Sequence, residues 1–457
     1  MNTFHIYKHL PISIQNLLVS YNGLKLSRLR FGEEFEPILN EARKSERWSA
    51  AEIVKYKTEQ INRILHYAYQ HVPFYRNLYD SYGVSPDDFR QLSDMTKFPI
   101  VTKEDVRQNM DSMISDEFDI KDLVLYHTSG STGTPLGFYW SKHDIQFYMA
   151  MVWRGRERYG IHLGDSHLSF TGKLVCPLEQ NKPPYWRFNK ASNKYMLNMQ
   201  HITKEKTPSI VDFINSSDIK FFVGYPSSIY TLALFVNELG LVVKNPPHFI
   251  FCSSEKMYDY QKEEIYKAFK NVVIAEHYGF SEQAACASQC HCGVYHEDFE
   301  FGHLEIENTE LCEGGLLGTV LATGFQNLAM PLIRYRVGDS AVFSNVKCSC
   351  GLNSQVLLSV EGRIEDYVVT PEGAHIKRWT HILKESPNVK ECQLVQDAVD
   401  HLILRIVKRE LFTEKDEQQL VNRVKDIISP NMNVSFEYVS QIERTKAGKF
   451  KAMISKL

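Results

Sequence analysis

The sequence predicts an α/β fold, a large multi-layer N-terminal domain of sheets and helices followed by a small, mobile α+β C-terminal domain. Three observations predict it. The chain has 457 residues, more than one ordinary hydrophobic core organises. Between Leu123 and Asp339, short β-rich runs alternate with helical patterns, as α/β layers require. The last ~90 residues read differently, as a strand pair, a helix, two strands, a helix and a strand, which suits a unit able to fold separately. The boundary falls at Gly362 to Asp366, giving domains 1–365 and 366–457.

Through Asn109 the chain reads as helical scaffold. Ile53, Ile61, Ile64, Leu65 and Ala68 recur at helical spacing among polar residues. The segment closes on FPIVTKEDV, where Thr102 can cap a helix with Glu104 and Asp105 near its positive end. The β-rich runs that follow are LVLYHT, FFVGY, HFIFCSS, VVIAEHYG and GTVLATG, with helical patterns at Ser227–Glu238 and Asp259–Phe269. Several of the runs end in small or polar residues, and in open α/β sheets the ligand sits beyond the strand ends. The C-terminal unit opens with a strand pair around Thr370-Pro371-Glu372-Gly373.

Composition narrows the function classes. Apolar residues make up 43% and charged residues 23%, the balance of an average soluble domain. A net charge of −3 with mixed signs gives no electrostatic reason to expect nucleic acid or anionic lipid. No apolar run approaches the ~20 residues of a membrane span, and MNTFHIYKHLPISIQN lacks the plan of a signal peptide. There are nine cysteines, an odd number, with Cys286, Cys290 and Cys292 in one cluster and Cys348 and Cys350 in another. Reduced thiols or metal ligands are expected rather than disulfides, and the expected compartment is the cytoplasm.

Thr128-Ser129-Gly130-Ser131-Thr132-Gly133-Thr134-Pro135 directly follows a β-rich run. Glycines let the backbone approach an anion closely, and hydroxyls add donors to the amide N–H groups. No Gly-Lys-Ser/Thr follows at Walker spacing. In isolation such a stretch is more often a surface turn than a phosphate site. Its order relative to later segments decides between them.

TSGSTGTP resembles the phosphate loop of the adenylate-forming superfamily of acyl-CoA synthetases, peptide-synthetase adenylation domains and luciferases. The family's other segments follow in order: Gly224-Tyr225-Pro226-Ser227-Ser228, Ser253-Ser254-Glu255, Tyr278-Gly279-Phe280-Ser281-Glu282, Tyr335-Arg336-Val337-Gly338-Asp339, Gly362-Arg363-Ile364-Glu365-Asp366 and Lys446-Ala447-Gly448-Lys449. Within the superfamily, HVPFYRNLYDSYGV, FPIVTKEDVRQNM, MPLIRYRVGD and CSCGLNSQ resemble the phenylacetate–coenzyme A ligase family, especially its capsular-polysaccharide-locus branch. The resemblance spans residues 45–457 and implies the adenylate-forming enzyme fold.

It also implies roles. Lys449, Glu282 and Thr128 would be catalytic, with Lys449 as the cationic catalyst and Glu282 holding Mg2+. Ser129, Gly130, Ser131, Thr132, Gly133 and Thr134 would grip the phosphates of ATP. Ser254, Glu255, His277, Tyr278, Gly279, Phe280 and Ser281 would surround the adenine, and Asp339 and Arg363 the ribose side. Asp339 suits ribose because a carboxylate offers paired acceptors. Asp366 would be the hinge between two orientations of the C-terminal domain, and Gly373 would face the site in the second. Phe170, Tyr225, Pro226 and Ala284 are candidate walls of an acyl pocket, with Thr171, His277 and Phe280 nearby; a core role for Phe170 and Phe280 is as good a reading.

Cys348-Ser349-Cys350-Gly351 is a tight turn able to present two thiolates, and Cys290 before Gly293-Val294-Tyr295-His296 resembles a family arrangement. Cys290, His296, Cys348 and Cys350 are the expected ligands of a structural zinc ion, with Cys292, His291 and Cys286 open as substitutes for one of them. Two positions depart from the wider superfamily: Leu136 stands where many members place lysine, and Val337 where threonine is usual.

The expected reaction is ATP-dependent formation of an acyl-adenylate with pyrophosphate release, followed by transfer to coenzyme A. An amine or hydroxyl acceptor in polysaccharide or secondary metabolism is a rival reading, as is a non-catalytic nucleotide- or acyl-binding protein. The expected partners are a small carboxylic acid, ATP and CoA, without nucleic acid or a membrane span; a homodimer is left open.

Overall fold

The computed structural model describes residues 6–127, 136–171, 174–254, 257, 259–312, 314–344, 346–361, 368–376, 382–383, 386, 388–408, 410–440, 442 and 453–457. Helices occupy Ile12–Arg30, Phe35–Ser45, Ala50–His71, Pro73–Tyr82 and Lys103–Asn109 before the first strand. In Ala50–His71 the buried face comprises Ile53, Ile61, Ile64, Leu65 and Ala68, as their spacing predicts, together with Lys57. Ser49 and Glu52 close a capping box at its start, and Thr102 with Asp105 closes another before Lys103–Asn109.

The first strands are β1 (Val124–His127), β2 (Gly137–Trp140), β3 (His167–Thr171), β4 (Trp186–Asn189) and β5 (Lys194–Asn198). Next come β6 (Phe221–Gly224), β7 (Phe249–Ser253), β8 (Val273–Gly279), β9 (Cys286–Gln289) and β10 (Tyr295–Glu297). Then follow β11 (Gly302–Cys312), β12 (Gly315–Gly324), β13 (Tyr335–Ser344) and β14 (Val356–Glu361). The C-terminal strands are β15 (Val368–Val369), β16 (His375–Ile376), β17 (Val389–Ala398), β18 (His401–Lys408), β19 (Asn433–Tyr438) and β20 (Met453–Ser455).

A 12-stranded sheet has the order β11-β12-β13-β14-β10-β9-β8-β7-β6-β3-β5-β4. Strands β5, β3, β6, β7 and β8 run parallel, with helices Pro226–Glu238 and Asp259–Ala268 as crossovers. Beyond β8 the sheet is antiparallel. The α/β alternation therefore describes only half of the sheet. GTVLATG lies in the long antiparallel β12, and among the described residues no helix separates β9 from β14. LVLYHT forms β1, which pairs only with β2 and stands outside the large sheet.

The C-terminal strands form a separate four-stranded sheet, β19-β18-β17-β20, with helix Glu414–Ile427. Its own apolar core includes Leu394, Leu402, Leu404, Ile406, Leu420, Val424 and Met453. The sequence reading missed β20, which adds a second strand after the last helix. The short hairpin β15–β16 is tied to this sheet through Gln396, whose side-chain amide exchanges hydrogen bonds with the backbone of Val369. The expected boundary at 362–366 lies outside the described residues.

Candidate active site

In the parallel half of the sheet, Ser169 is level with Val223, Gly224 with Cys252, and Ser253 with His277. Phe170, Gly224 to Pro226, Ser253 to Ser254 and His277 to Gly279 therefore share one edge, at the carboxyl ends of parallel strands. The chain winds from β3 to β5 on one side and returns to β6 on the other, so the crevice at β3 and β6 is the topological switch point where such sheets bind ligands. The backbone there must pass close to Phe170: a Cβ on Gly224 would lie 2.6 Å from that of Phe170. Phe170 is buried, edge-on to Phe222 at 5.3 Å, and so belongs to the core beneath the crevice. Tyr225 and Ala284 are also buried, and Pro226 opens the Pro226–Glu238 helix.

The loop after β8 meets β13. Glu282 is buried; the Tyr335 hydroxyl donates to its Oε1 at 2.9 Å, and the ammonium of Lys103 lies 3.6 Å from the same oxygen. Lys103 arrives because Val101 bridges to Tyr335, its N–H donating to Arg334 and its carbonyl accepting from Arg336. Sequence reasoning overlooked Lys103 and assigned nothing to Tyr335, although both lie inside quoted motifs.

Asp339 is aimed by a bulge. Thr319 faces Ser340 and Leu321 faces Arg336, so Val337, Gly338 and Asp339 are looped out opposite Val320. Gly338 has φ 89°, a conformation that glycine adopts without a steric cost. The hydroxyl of Tyr278, at the end of β8, donates to Asp339 Oδ2 at 3.3 Å. Phe280 is half-buried with its ring 5.9 Å from that of Tyr278, while Ser281 is exposed. Ser254 is exposed and has φ 70° at the end of β7.

His277 differs from its neighbours because both ring nitrogens are engaged by protein groups. Nε2 lies 3.2 Å from the Tyr148 hydroxyl and Nδ1 3.2 Å from Ser288 Oγ. Ser288 donates to Asp298 at 2.8 Å, and Asp298 accepts from Arg154 at 2.6 Å. Because the Ser288 proton points at Asp298, its oxygen accepts from His277, which places the ring proton on Nδ1. Burial pushes the imidazole down to about 4, so it stays neutral. His277 is thus built into the wall, with Gly279 passing over Tyr148. No sequence signal announced Tyr148, Ser288 or Asp298.

Beside β8, the end of β9, strand β10 and the segment between β13 and β14 bring together a second cluster. Ligand atoms of Cys290, His296, Cys348 and Cys350 all lie within 4.8 Å of one another. Cys290 Sγ is 3.7 Å from Cys348 Sγ, and Cys350 Sγ is 3.2 Å from His296 Nε2. Cys290 is held in a tight turn, its N–H bonded to Val294 and its carbonyl to Gly293 N–H. Burial pushes His296 down to about 4, leaving a neutral imidazole with a lone pair for a metal. Of the alternatives, Cys292 is exposed and bonds Ser349, while Cys286 is buried against Asp298.

Other expectations lie outside the described residues: Thr128, Ser129, Gly130, Ser131, Thr132, Gly133 and Thr134 of the loop, Glu255, Arg363, Asp366 and Lys449. The stem of that loop is described: His127 pairs with Gly137, and Phe138 packs edge-on against Tyr335 at 6.4 Å. Leu136 and Val337, which replace polar family residues, are both buried in the apolar core.

Residues 368–456 match the CapK C-terminal domain family. The chain is 24% identical to Protein CapK of Staphylococcus aureus, over 99% of each. It is 20% identical to the phenylacetate-coenzyme A ligase of Thermus thermophilus, over 87% of this chain and 95% of that one. Among solved structures, 2-hydroxyisobutyryl-CoA ligase in complex with 2-HIB-AMP and CoA has a TM-score of 0.59 at 19% identity, over 90% of this chain and 91% of that one. These matches, the motif order and the fold agree: the chain is similar along nearly its whole length to Protein CapK and to phenylacetate-coenzyme A ligases, and its residues 368–456 match the CapK C-terminal domain family.

Proposed function

We propose that this protein is an AMP-forming ligase that activates a carboxylic acid as its adenylate and passes the acyl group to coenzyme A. The observation that carries the reading is the convergence of Tyr278, Glu282, Tyr335 and Asp339 beside the stem of the Ser/Gly/Thr loop, where the carboxyl end of the parallel strand β8 meets β13. In the first step a carboxylate oxygen attacks the α-phosphorus of ATP, and the bond to pyrophosphate breaks. In the second the CoA sulfur attacks the acyl carbon, its proton is lost, and AMP leaves.

The chain's groups fit these steps. Two anions must approach, so fixed donors and cations carry the catalysis. Thr128 to Thr134 would donate to the phosphates, and Lys449 would neutralise the attacking carboxylate and the α-phosphate together. Asp339 would accept from the ribose hydroxyls, and Arg363 would add a contact to the same nucleotide. Mg2+ takes oxygen ligands, which the fixed carboxylate of Glu282 offers; bound there, it would neutralise charge on the phosphate oxygens. Asp366 would hinge the C-terminal domain. The Cys290, His296, Cys348 and Cys350 set fits tetrahedral zinc in donor type and number, as a structural ion.

A second reading, transfer to an amine or hydroxyl, shares the first step and differs in the acceptor. The full-length match to Protein CapK, whose name specifies no acceptor, keeps it in view. The test is AMP release across a panel of aryl and short-chain acids with ATP, with and without CoA. Turnover that requires CoA and yields acyl-CoA supports the ligase; CoA-independent turnover on added amines or alcohols selects the second reading. ATP binding with no acid-dependent product under any condition rejects both.

A further inference from the structure

The helix Ile12–Arg30 buries only Gln15 and Gly23 outright, with Ile12, Val19 and Leu29 half-buried. Its hydrogen bonds to the rest of the protein come from polar side chains. Gln15 is buried and accepts from Arg187 Nε at 2.6 Å; Asn16 accepts from the backbone N–H of Phe188 at 3.0 Å. Ser20 donates to the Phe188 carbonyl at 3.3 Å and accepts from Lys190 N–H at 3.0 Å. Gly23 lies flat on Asn189, leaving no space for a Cβ. These bonds go to β4, the edge strand of the 12-stranded sheet, so the helix seals an edge that would otherwise offer unpaired backbone groups.

An apolar strip of the same helix faces out. Ile14, Leu17, Leu18, Tyr21 and Leu24 recur at helical spacing and are exposed, Leu17 by 68% and Tyr21 by 57%. Lys25 and Arg28 share that face, and the Lys25 ammonium sits 4.7 Å over the Tyr21 ring. Residues 1–32 contain no Asp or Glu, while Lys8, Lys25, Arg28 and Arg30 are cationic. The whole-chain charge of −3 hides this local excess.

We propose that this face docks on a bilayer surface containing anionic phospholipid, with the helix lying in the interface. Apolar side chains enter the acyl boundary, tyrosine sits at headgroup level, and Lys25 and Arg28 meet the lipid phosphates. A second copy is a poor occupant, because a two-fold contact would press Lys25 and Arg28 against their own copies without an acid to pair them. Among the described residues no helix is long and apolar enough to cross a membrane.

The test is flotation of the full chain with vesicles of phosphatidylcholine alone or with about one third phosphatidylglycerol. The expected result is flotation with the anionic vesicles only, weakened by raising salt from about 0.05 to 0.5 M. Leu17→Ser with Leu24→Ser, and separately Lys25→Glu with Arg28→Glu, should each weaken it at least about tenfold while leaving the thermal melt in place. The proposal is overturned if the wild-type chain does not float, or if both double variants float as it does. It is equally overturned if sedimentation shows a wild-type dimer that Leu17→Ser with Leu24→Ser converts to monomer.

Discussion

Tyr335 and Lys103 approach the same oxygen of Glu282, at 2.9 and 3.6 Å, so this buried carboxylate is oriented by protein groups from two other segments. Glu282→Gln keeps the shape and removes the charge; pyrophosphate release should fall about 10²–10³-fold with the melting temperature little changed. The Asp298 carboxylate, held below the ordinary range because Arg154 and Arg158 outweigh its burial, has a structural part. Asp298→Asn leaves Arg154 with Glu300 alone and should cost about 2–3 kcal/mol in urea unfolding. Burial also pushes His201 to about 4 and His167 to about 3, below the unfolded value of about 6.5. The unfolded chain then binds the extra protons, so stability falls as pH drops from about 6.5 to 4, by up to about 1.4 kcal/mol per pH unit for each histidine. Urea midpoints against pH should show this fall, and His201→Gln should make it shallower by one histidine's share. Glu282 and Asp339 were legible because each sits in a short motif whose neighbours shape the backbone. Asp298 and Arg154 were not, since their meaning arises only when strands distant in sequence come together.

At the scale of elements, the YRVGD motif is intelligible as a bulge. Gly338 permits the positive φ that turns Asp339 towards Tyr278. Gly338→Ala should cost about 1–2 kcal/mol and raise the KM for ATP severalfold, as steady-state pyrophosphate release would show. The helix Ala50–His71 was readable from its apolar period, and the parallel strands from their alternation with helices. The antiparallel half was not: its long strands pair with distant partners, and no local period specifies sheet order. Nor did apolar spacing expose the role of Ile12–Arg30, because there polar residues make the hydrogen bonds that tie the helix to the edge strand.

For the whole molecule, strand β8 lies beside β9, which leads into the cysteine cluster. Gln289 spans them, accepting from Glu276 N–H at 3.0 Å and donating to Gly293 at 2.7 Å. Zinc there would brace the site's back wall. Metal analysis should find about one zinc per chain, and Cys348→Ser should lower the melting temperature by about 5 °C or more. The central claim is adenylation itself, and acid-dependent exchange of labelled pyrophosphate into ATP reads that step without needing the acceptor. With the right acid, exchange should appear in the wild-type chain and vanish in Lys449→Ala, whose melt should match wild type. Exchange that needs no acid, or that persists at the wild-type rate in Lys449→Ala, would contradict the account.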